Sequence, residues 1–414
     1  MADKLINKYT LRSKDIPLIE FSLYKTKQEA LGIISEAYYI KIDRTYYANK
    51  NLFPKSFFGV VNDDSLLKWI KRRKAPKNRH FVDKILSSFN DDNNPLRYVD
   101  ISHALSLNDT YWITNNLTND KWKDFNLYQH PFDEILRYVA FTGYSHKISG
   151  VITSPEVTSK GMLKKCWSNR KDGIYLIKGD DFLKREDGRS QITGEFYASQ
   201  IAEVLELEYI SYDLEAFHHK KGSDEIVCLC KLFTDEDIGF VDAYTYFKDN
   251  NITVDEIDPA DLLTQSKLSS VYGVDAYADL MLFDSIIANQ DRHYGNFGYL
   301  IDNNTGEYIK PAPIFDSGYS LLCTAAQQDL YDIDTYVNSV ISCKYLPLNT
   351  QAMWFVEKRH LSKLRKLLNF KFKPHTKLGY VIDDKVVNIL NVFIQNRART
   401  IIDLYYKKQK DLRY

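Results

Sequence analysis

Asn289-Gln290-Asp291-Arg292-His293-Tyr294-Gly295-Asn296, followed by Pro313-Ile314-Phe315-Asp316-Ser317-Gly318, constrains this chain more than any other stretch. Leu280, Phe283 and Ile287 recur at helical spacing and stop at polar Asn289-Gln290, so a helix is expected to end there. Phe297 to Ile301 reads as a strand, Asp302-Asn303-Asn304-Thr305-Gly306 as a turn, and Tyr308-Ile309 as the returning strand. A helix, a polar loop and a hairpin bring Asp291, Asn296 and Asp316 to one end of that hairpin. Asp291 can accept or orient a hydroxyl proton. Asn296, five residues on, and Asp316, twenty residues after it, offer hard oxygen ligands to a magnesium ion carrying phosphates. The competing interpretation is an ordinary surface loop, because Asp, Asn and Gly are what turns use. It serves either half alone and fits the joined pattern poorly.

A chain of 414 residues has room for two or three domains. Lysine plus arginine equals aspartate plus glutamate at 55 each, so net charge argues for neither nucleic acid nor membrane as partner. No apolar run approaches the roughly 18 to 20 residues of a spanning helix, and Met1-Ala2-Asp3-Lys4 lacks a secretory apolar region. A cytoplasmic protein is expected. The five cysteines contain no Cys-x-x-Cys pair; Cys228 and Cys230 share one strand face, where buried free thiols are expected.

Glu36 to Ile42 has the look of a strand. The dense basic segment Ser65 to Lys74, continued by Lys77 and Arg79, has two interpretations. It is a patch for nucleic acid or an acidic partner, or an amphipathic helix burying Leu66, Leu67 and Ile70 with its lysines in water; so short a run favours the helix. Pro131 and the Gly143 to Gly150 stretch suggest a boundary near residue 145. Beyond it come a hydroxyl-rich turn, Ser154 to Met162, and a short apolar strand, Ile174 to Lys178, that ends in lysine. A hydroxyl-rich loop, a strand and a lysine at its end are parts that cradle a nucleotide's phosphates. Glu195 opens a segment with Ala198, Ile201, Ala202 and Leu205 at helical spacing. A glutamate in a first turn suits the helix dipole; the sharper interpretation pairs it with Lys178. The apolar strand Ile226 to Phe233 then sits where a hinge would offer backbone groups to adenine. From about residue 240 helical patterns dominate, with Val387, Leu390, Val392, Ile394, Ile401, Ile402 and Leu404 marking terminal helices.

Over roughly residues 145–414 the chain resembles the HipA-like serine/threonine kinases, bacterial relatives of protein kinases that share an Asp-Arg-His-x-x-Asn loop with phosphoinositide kinases. The resemblance rests on Ile174 to Lys178, Gly194-Glu195-Phe196-Tyr197, Leu232-Phe233, Asn289 to Gly298 and Pro311 to Gly318, in the family's order. It implies an α+β, bilobal protein-kinase-like fold: an N-lobe of mixed β structure over 146–238, a mainly helical C-lobe over 239–414, and an accessory domain over 1–145. That extra segment looks like the one carried by low-GC Gram-positive members, around Trp69 and Asp109-Thr110-Tyr111-Trp112. The resemblance further implies ATP and Mg2+ as cofactors. Asp291 looks like the catalytic aspartate, Asn296 and Asp316 like the metal ligands, and Lys178 like the phosphate-contacting lysine. Lys231 and Phe233 fall at the hinge beside adenine, and His293 supports the loop or the phosphates. The Thr153 to Gly161 turn takes the place of the phosphate loop while departing from its Gly-Ala-x-x-Lys form, with Lys160, Lys164 and Lys165 as candidate phosphate contacts. The family phosphorylates its own serine there, for which Ser154, Thr158 and Ser159 are candidates. The resemblance further implies a protein substrate connected with translation and a helix-turn-helix antitoxin partner; no membrane and no direct nucleic-acid contact are expected. A lipid or small-molecule kinase, and a nucleotide-binding pseudokinase acting through its N-terminal domain, are the alternatives.

Overall fold

A hairpin that its turn residues do not advertise opens the chain. β1 (Lys4–Ser13) runs antiparallel to β2 (Ile16–Ala30), with Leu11 opposite Ile19 and Tyr9 opposite Phe21. The corner is Lys14, held at φ 49° where glycine or asparagine is the usual occupant. A computed structural model describes residues 3–30, 33–74, 94, 96–132, 134–143, 155, 163–180, 184–219 and 224–411. The Ser154 to Met162 turn, apart from Pro155, and with it Ser154, Thr158, Ser159 and Lys160, lies outside the described residues, as do Lys77 and Arg79.

β3 (Ile33–Thr45) and β4 (Tyr111–Asn115) complete an antiparallel sheet in the order β3-β2-β1-β4. The expected Glu36 to Ile42 strand lies inside β3. One face of the sheet buries Tyr9, Leu11, Phe21, Leu23, Ile40 and Ile113. The helix Asp63–Arg73 adds Leu66, Trp69 and Ile70 to this core, while Leu67 is only partly buried. Its start is fixed by Asn62, whose side chain accepts from the Ser65 N–H at 2.8 Å. The basic run is thus the wet face of an amphipathic helix: Lys68, Lys71 and Arg72 are exposed. Arg73 turns inward, forked onto Asp109 at 2.8 and 3.0 Å and lying 4.6 Å over the Trp69 ring. A second cluster forms around Trp112, which is fully buried with Leu105, Leu107, Trp122, Phe132 and Ile174.

β5 (Lys165–Arg170) is followed by β6 (Gly173–Lys178), whose last residue is the lysine singled out above. β7 (Tyr212–Phe217) pairs antiparallel with β8 (Glu225–Lys231). β9 (Ile238–Asp242), β10 (Gly298–Asp302) and β11 (Tyr308–Pro311) make a three-stranded sheet in the order β11-β10-β9. The β10–β11 hairpin and its Asp302–Gly306 turn follow the expectation from sequence, and Gly306 takes φ 75°.

Two compact units divide the chain. The first contains residues up to Ile177 with Leu232–Val241 and Leu300–Lys310; the second contains Lys178–Lys231, Asp242–Tyr299 and Pro311–Tyr414. Most of the sheet belongs to the first and most of the helix to the second, which meets the α+β expectation. In the second unit the helices Val274–Ile287 and Asp384–Asp411 are central. The long C-terminal helix buries Val387, Leu390, Ile394 and Ile401, but Val392, grouped with them from sequence, is 52 % exposed. Its neighbours at i−2 and i+2 are the buried ones, so it lies on the opposite face. Cys228 and Cys230 are free and buried, opposite Leu214 and Tyr212 across the hairpin. No helix among the described residues is long and apolar enough to cross a membrane.

Candidate active site

The site is assembled inside the second unit from a strand end, one helix and two loops. The helix Gln191–Val204 starts at Ser190, which forms a capping box with Thr193. Glu195 therefore comes after the first turn, and its side chain is 3 % exposed. A glutamate placed there for the helix dipole would be solvated, so the ion-pair interpretation is favoured. Lys178 Nζ donates to Glu195 Oε1 at 2.7 Å and to Asp316 Oδ1 at 2.7 Å, and lies 5.6 Å over the Tyr212 ring. Burial would depress the ammonium's pKa, but the carboxylates of Asp316 and Glu195 outweigh it and hold Lys178 well above its ordinary value. Lys178 is thus a fixed positive charge at neutral pH. Burial raises the Glu195 carboxyl, and Lys178 pulls it back down; its second oxygen, Oε2, accepts from the Ser317 N–H at 2.8 Å.

The Phe315–Gly318 segment is drawn tightly against that helix. Asp316 sits at φ 55°, a left-handed conformation costing a non-glycine residue about 1–3 kcal/mol unless its surroundings hold it. Here they do: its N–H donates to Tyr212 Oη at 3.1 Å and the next N–H to Glu195. Glycines permit the approach. A Cβ on Gly194 would run into the carbonyl oxygen of Gly318, and one on Gly318 would meet the Gln191 carbonyl oxygen at 2.5 Å.

The Asp291 loop is held from below by residues that the sequence pattern did not single out. The helix Val274–Ile287 ends with Ala288 at φ 54°, which turns the chain. Asn289 then bridges: its Nδ2 donates to Asp284 Oδ1 at 2.9 Å and its Oδ1 accepts from the Asp291 N–H at 3.0 Å. Arg292 is buried and paired with buried Asp284, Nε to Oδ2 at 3.0 Å. The same guanidinium donates to the Asn296 carbonyl at 2.7 Å, to the Phe315 carbonyl, and to Ser317 Oγ at 2.9 Å. One planar fork thereby fixes the helix end, the Asp291–Asn296 loop and the Asp316 segment in a single arrangement. An aspartate inside an apolar helix, eight residues before an arginine, was the available signal.

What this leaves for chemistry faces outward. Asp291 is exposed while buried Arg292 and Asn296 flank it. The surrounding protein raises its carboxyl above the usual value, His293 lowers it, Asp316 raises it and Arg292 lowers it. His293 is exposed, and its Nδ1 accepts from the Gly295 N–H at 3.0 Å, closing the turn. Asn296 Nδ2 donates to the Asp291 carbonyl at 2.8 Å, which leaves Oδ1 as the amide's acceptor end. An amide oxygen and the Asp316 carboxylate suit a hard divalent cation such as Mg2+, which normally completes its shell with phosphate oxygens and water. No three His, Cys, Asp or Glu side chains among the described residues cluster as a metal cage.

The structure brings Lys178, Glu195 and Asp316 into one hydrogen-bonded cluster, and Asp291, His293 and Asn296 into one loop. Lys231 is the exposed last residue of β8 and stands outside that cluster. Phe233 belongs to the first unit, edge-on to Phe240 with ring centroids 5.7 Å apart.

No family model matches the chain, and no curated protein matches it. Solved structures do: among the matches is the proinflammatory kinase CtkA of Helicobacter pylori, 18% identical with a TM-score of 0.42, over 61% of this chain and 93% of that one. A likeness of that size assigns neither function nor residues to this chain.

Proposed function

We propose that the chain is an ATP- and magnesium-dependent phosphotransferase, a serine/threonine protein kinase of HipA type with a toxin-like or regulatory role. The observation that supports it is the position of Lys178 Nζ, 2.7 Å from both Glu195 Oε1 and Asp316 Oδ1, in the same unit as an outward-facing Asp291. A purely structural ion pair needs one carboxylate. A lysine held between two, one of them 40 % exposed, is a charge kept ready at the mouth of a site.

In this reading Lys178, fixed by Glu195, binds the nucleotide's phosphates, while Asn296 Oδ1 and Asp316 hold the metal. ATP supplies the phosphoryl group and Mg2+ offsets the charge that develops on it. Asp291 orients the acceptor hydroxyl and takes its proton. Burial raises its carboxyl above the usual value, which makes it a better base. Arg292 and Asn289 keep Asp291 still, so little reorganisation is needed when substrate arrives. Lys231 and Phe233 are proposed to lie beside adenine through backbone groups. The Thr153 to Gly161 turn is proposed as the phosphate loop, phosphorylated by the enzyme itself at Ser154, Thr158 or Ser159. A translation-related protein substrate and a helix-turn-helix antitoxin are the partners proposed.

Incubating the protein with γ-labelled ATP and Mg2+, alone and with a cell lysate, tests the reading. Label on serine or threonine of a protein is the expected result. Label found only in lipid or small molecules would move the acceptor class, and no transfer to any acceptor would overturn the proposal.

A further inference from the structure

In the second unit the turn over residues 341–347 is closed by a bridge between Ile341 and Pro347 and by the Ser342 N–H donating to the Leu346 carbonyl at 2.9 Å. Tyr345 takes φ 58° and faces outward, while Lys344 before it is only 2 % exposed. Lysine is almost never so buried without a countercharge. Here Nζ makes no ion pair and no hydrogen bond with the described residues. It lies instead 3.5 Å from the centre of the Tyr294 ring and 5.5 Å from that of Phe297. Burial lowers the ammonium to about 8, Cys343 and Asp284 raise it, and Arg292 lowers it; Asp284 is itself engaged by Arg292. At pH 7 the group is therefore mostly charged, and that charge costs the fold stability.

Tyr294 is the middle of the loop that carries Asp291. Arg292 holds that loop at its own position and at the Asn296 carbonyl. Between them, the Tyr294 carbonyl accepts from the Tyr244 N–H at 3.2 Å, and its ring stands edge-on to Phe247 with centroids 5.9 Å apart. Tyr294 Oη is buried without a hydrogen-bond partner, so the hydroxyl is not what keeps the residue in place. The ring is: an ammonium over an aromatic face is drawn to its quadrupole, most strongly where water is excluded. A buried charge that lowers stability, spent on gripping a residue three positions from Asp291, is a cost that persists where activity needs it.

We propose that Lys344 is a positioning residue for phosphoryl transfer: its ammonium holds the Tyr294 ring, and with it the Asp291–Asn296 loop, in the arrangement that presents the Asp291 carboxylate. The inference rests on the phosphotransferase reading above. Lys344 acts through Tyr294 and touches neither nucleotide nor acceptor in that reading. Asn296 stays tied through Arg292 and through its own bond to the Asp291 carbonyl, so loss of the ammonium leaves Mg-ATP binding in place and falls on the chemical step.

The test compares the full chain with Lys344→Met, Tyr294→Phe, Tyr294→Leu and Lys344→Met/Tyr294→Leu at pH 7. Three quantities are read: transfer from γ-labelled ATP at saturating Mg-ATP, Mg-ATP affinity by calorimetry, and melting temperature. Lys344→Met keeps the side chain's length and loses its charge. It should lower transfer about tenfold, the scale of one desolvated cation–π contact, with Mg-ATP affinity little changed and a melting temperature no lower than the parent's. Tyr294→Phe keeps the ring and should transfer at close to the parental rate. Tyr294→Leu should fall as Lys344→Met does, and the double variant no further than either. Parental transfer in Lys344→Met, an equal loss in Tyr294→Phe, or losses that multiply in the double variant would overturn the inference. A melting temperature that drops in Lys344→Met along with transfer would make the lysine merely structural and overturn it as well. An unsubstituted chain that transfers to no acceptor overturns the phosphotransferase reading itself, a failure visible before any variant is made.

Discussion

Lys178 and Asp316 meet at 2.7 Å across 138 residues of sequence, and the same ammonium satisfies buried Glu195. Lys178→Met should leave Glu195 buried without its partner and facing another carboxylate. Breaking a buried pair from one side costs about 3–5 kcal/mol. Urea unfolding should show a loss of that order, largely recovered in Lys178→Met/Glu195→Gln. Nucleotide affinity should fall more mildly, since one point charge is removed from the phosphates. A single variant as stable as the parent would contradict this account of the cluster.

Arg292 joins three segments at once, so Arg292→Ala removes more than an ion pair. It strands Asp284, which is 1 % exposed, along with the Phe315 and Asn296 carbonyls. The expected destabilisation is about 3–5 kcal/mol, while Arg292→Ala/Asp284→Ala should cost less than the sum of the single changes. A double-mutant cycle by chemical unfolding measures the difference.

Lys344 is buried, its Nζ 3.5 Å from the centre of the Tyr294 ring in the Asp291 loop. Burial lowers its ammonium to about 8. Between pH 8 and the unfolded value near 10.5, the unfolded chain holds a proton that the folded chain does not. Stability from this group therefore rises with pH across that window. Relative to Lys344→Met, the parent should gain on the order of 3 kcal/mol from pH 7.5 to 10.5, read from paired urea titrations. A constant difference between the two proteins would show that Lys344 titrates normally.

Phosphorylation within the Ser154–Gly161 turn would add about −1.5 to −2 charges at pH 7 beside the proposed phosphate site. Incubation with Mg-ATP should modify at least one of Ser154, Thr158 and Ser159, and activity should fall as it does. Mass spectrometry of the 150–165 peptide checks this; an unmodified peptide from an active enzyme would remove the self-inhibition while leaving the transfer activity standing.

The fold was legible where local chemistry spoke. The Asp302–Gly306 turn marked its hairpin, the polar stop after Ile287 marked a helix end, and Lys178 with Glu195 suggested a pair. Asp284 inside an apolar helix hinted at a buried charge, but nothing in the sequence tells a buried bridging Arg292 from a solvated one. Apart from the Glu36 to Ile42 strand, the N-terminal sheet was hidden for two reasons. Its first turn uses Lys14 instead of glycine, and register shifts between Leu5 and Asn7 and between Leu11 and Arg12 break the alternation that marks a strand.

Asp316→Ala should abolish magnesium-dependent nucleotide binding, because it deletes the one charged ligand proposed to bridge metal and phosphates. Calorimetry with Mg-ATP checks it, and unchanged affinity would remove Asp316 from that role.

The most direct measurement pairs nucleotide binding with phosphoryl transfer in Asp291→Asn. The carboxylate is assigned to the hydroxyl nucleophile and makes little contact with bound ATP, so its loss should fall on the chemical step. Mg-ATP affinity within a few-fold of the parent, with transfer from γ-labelled ATP reduced by several orders of magnitude, is the predicted result. Transfer at near-parental rate in a variant that still binds Mg-ATP would contradict the central claim.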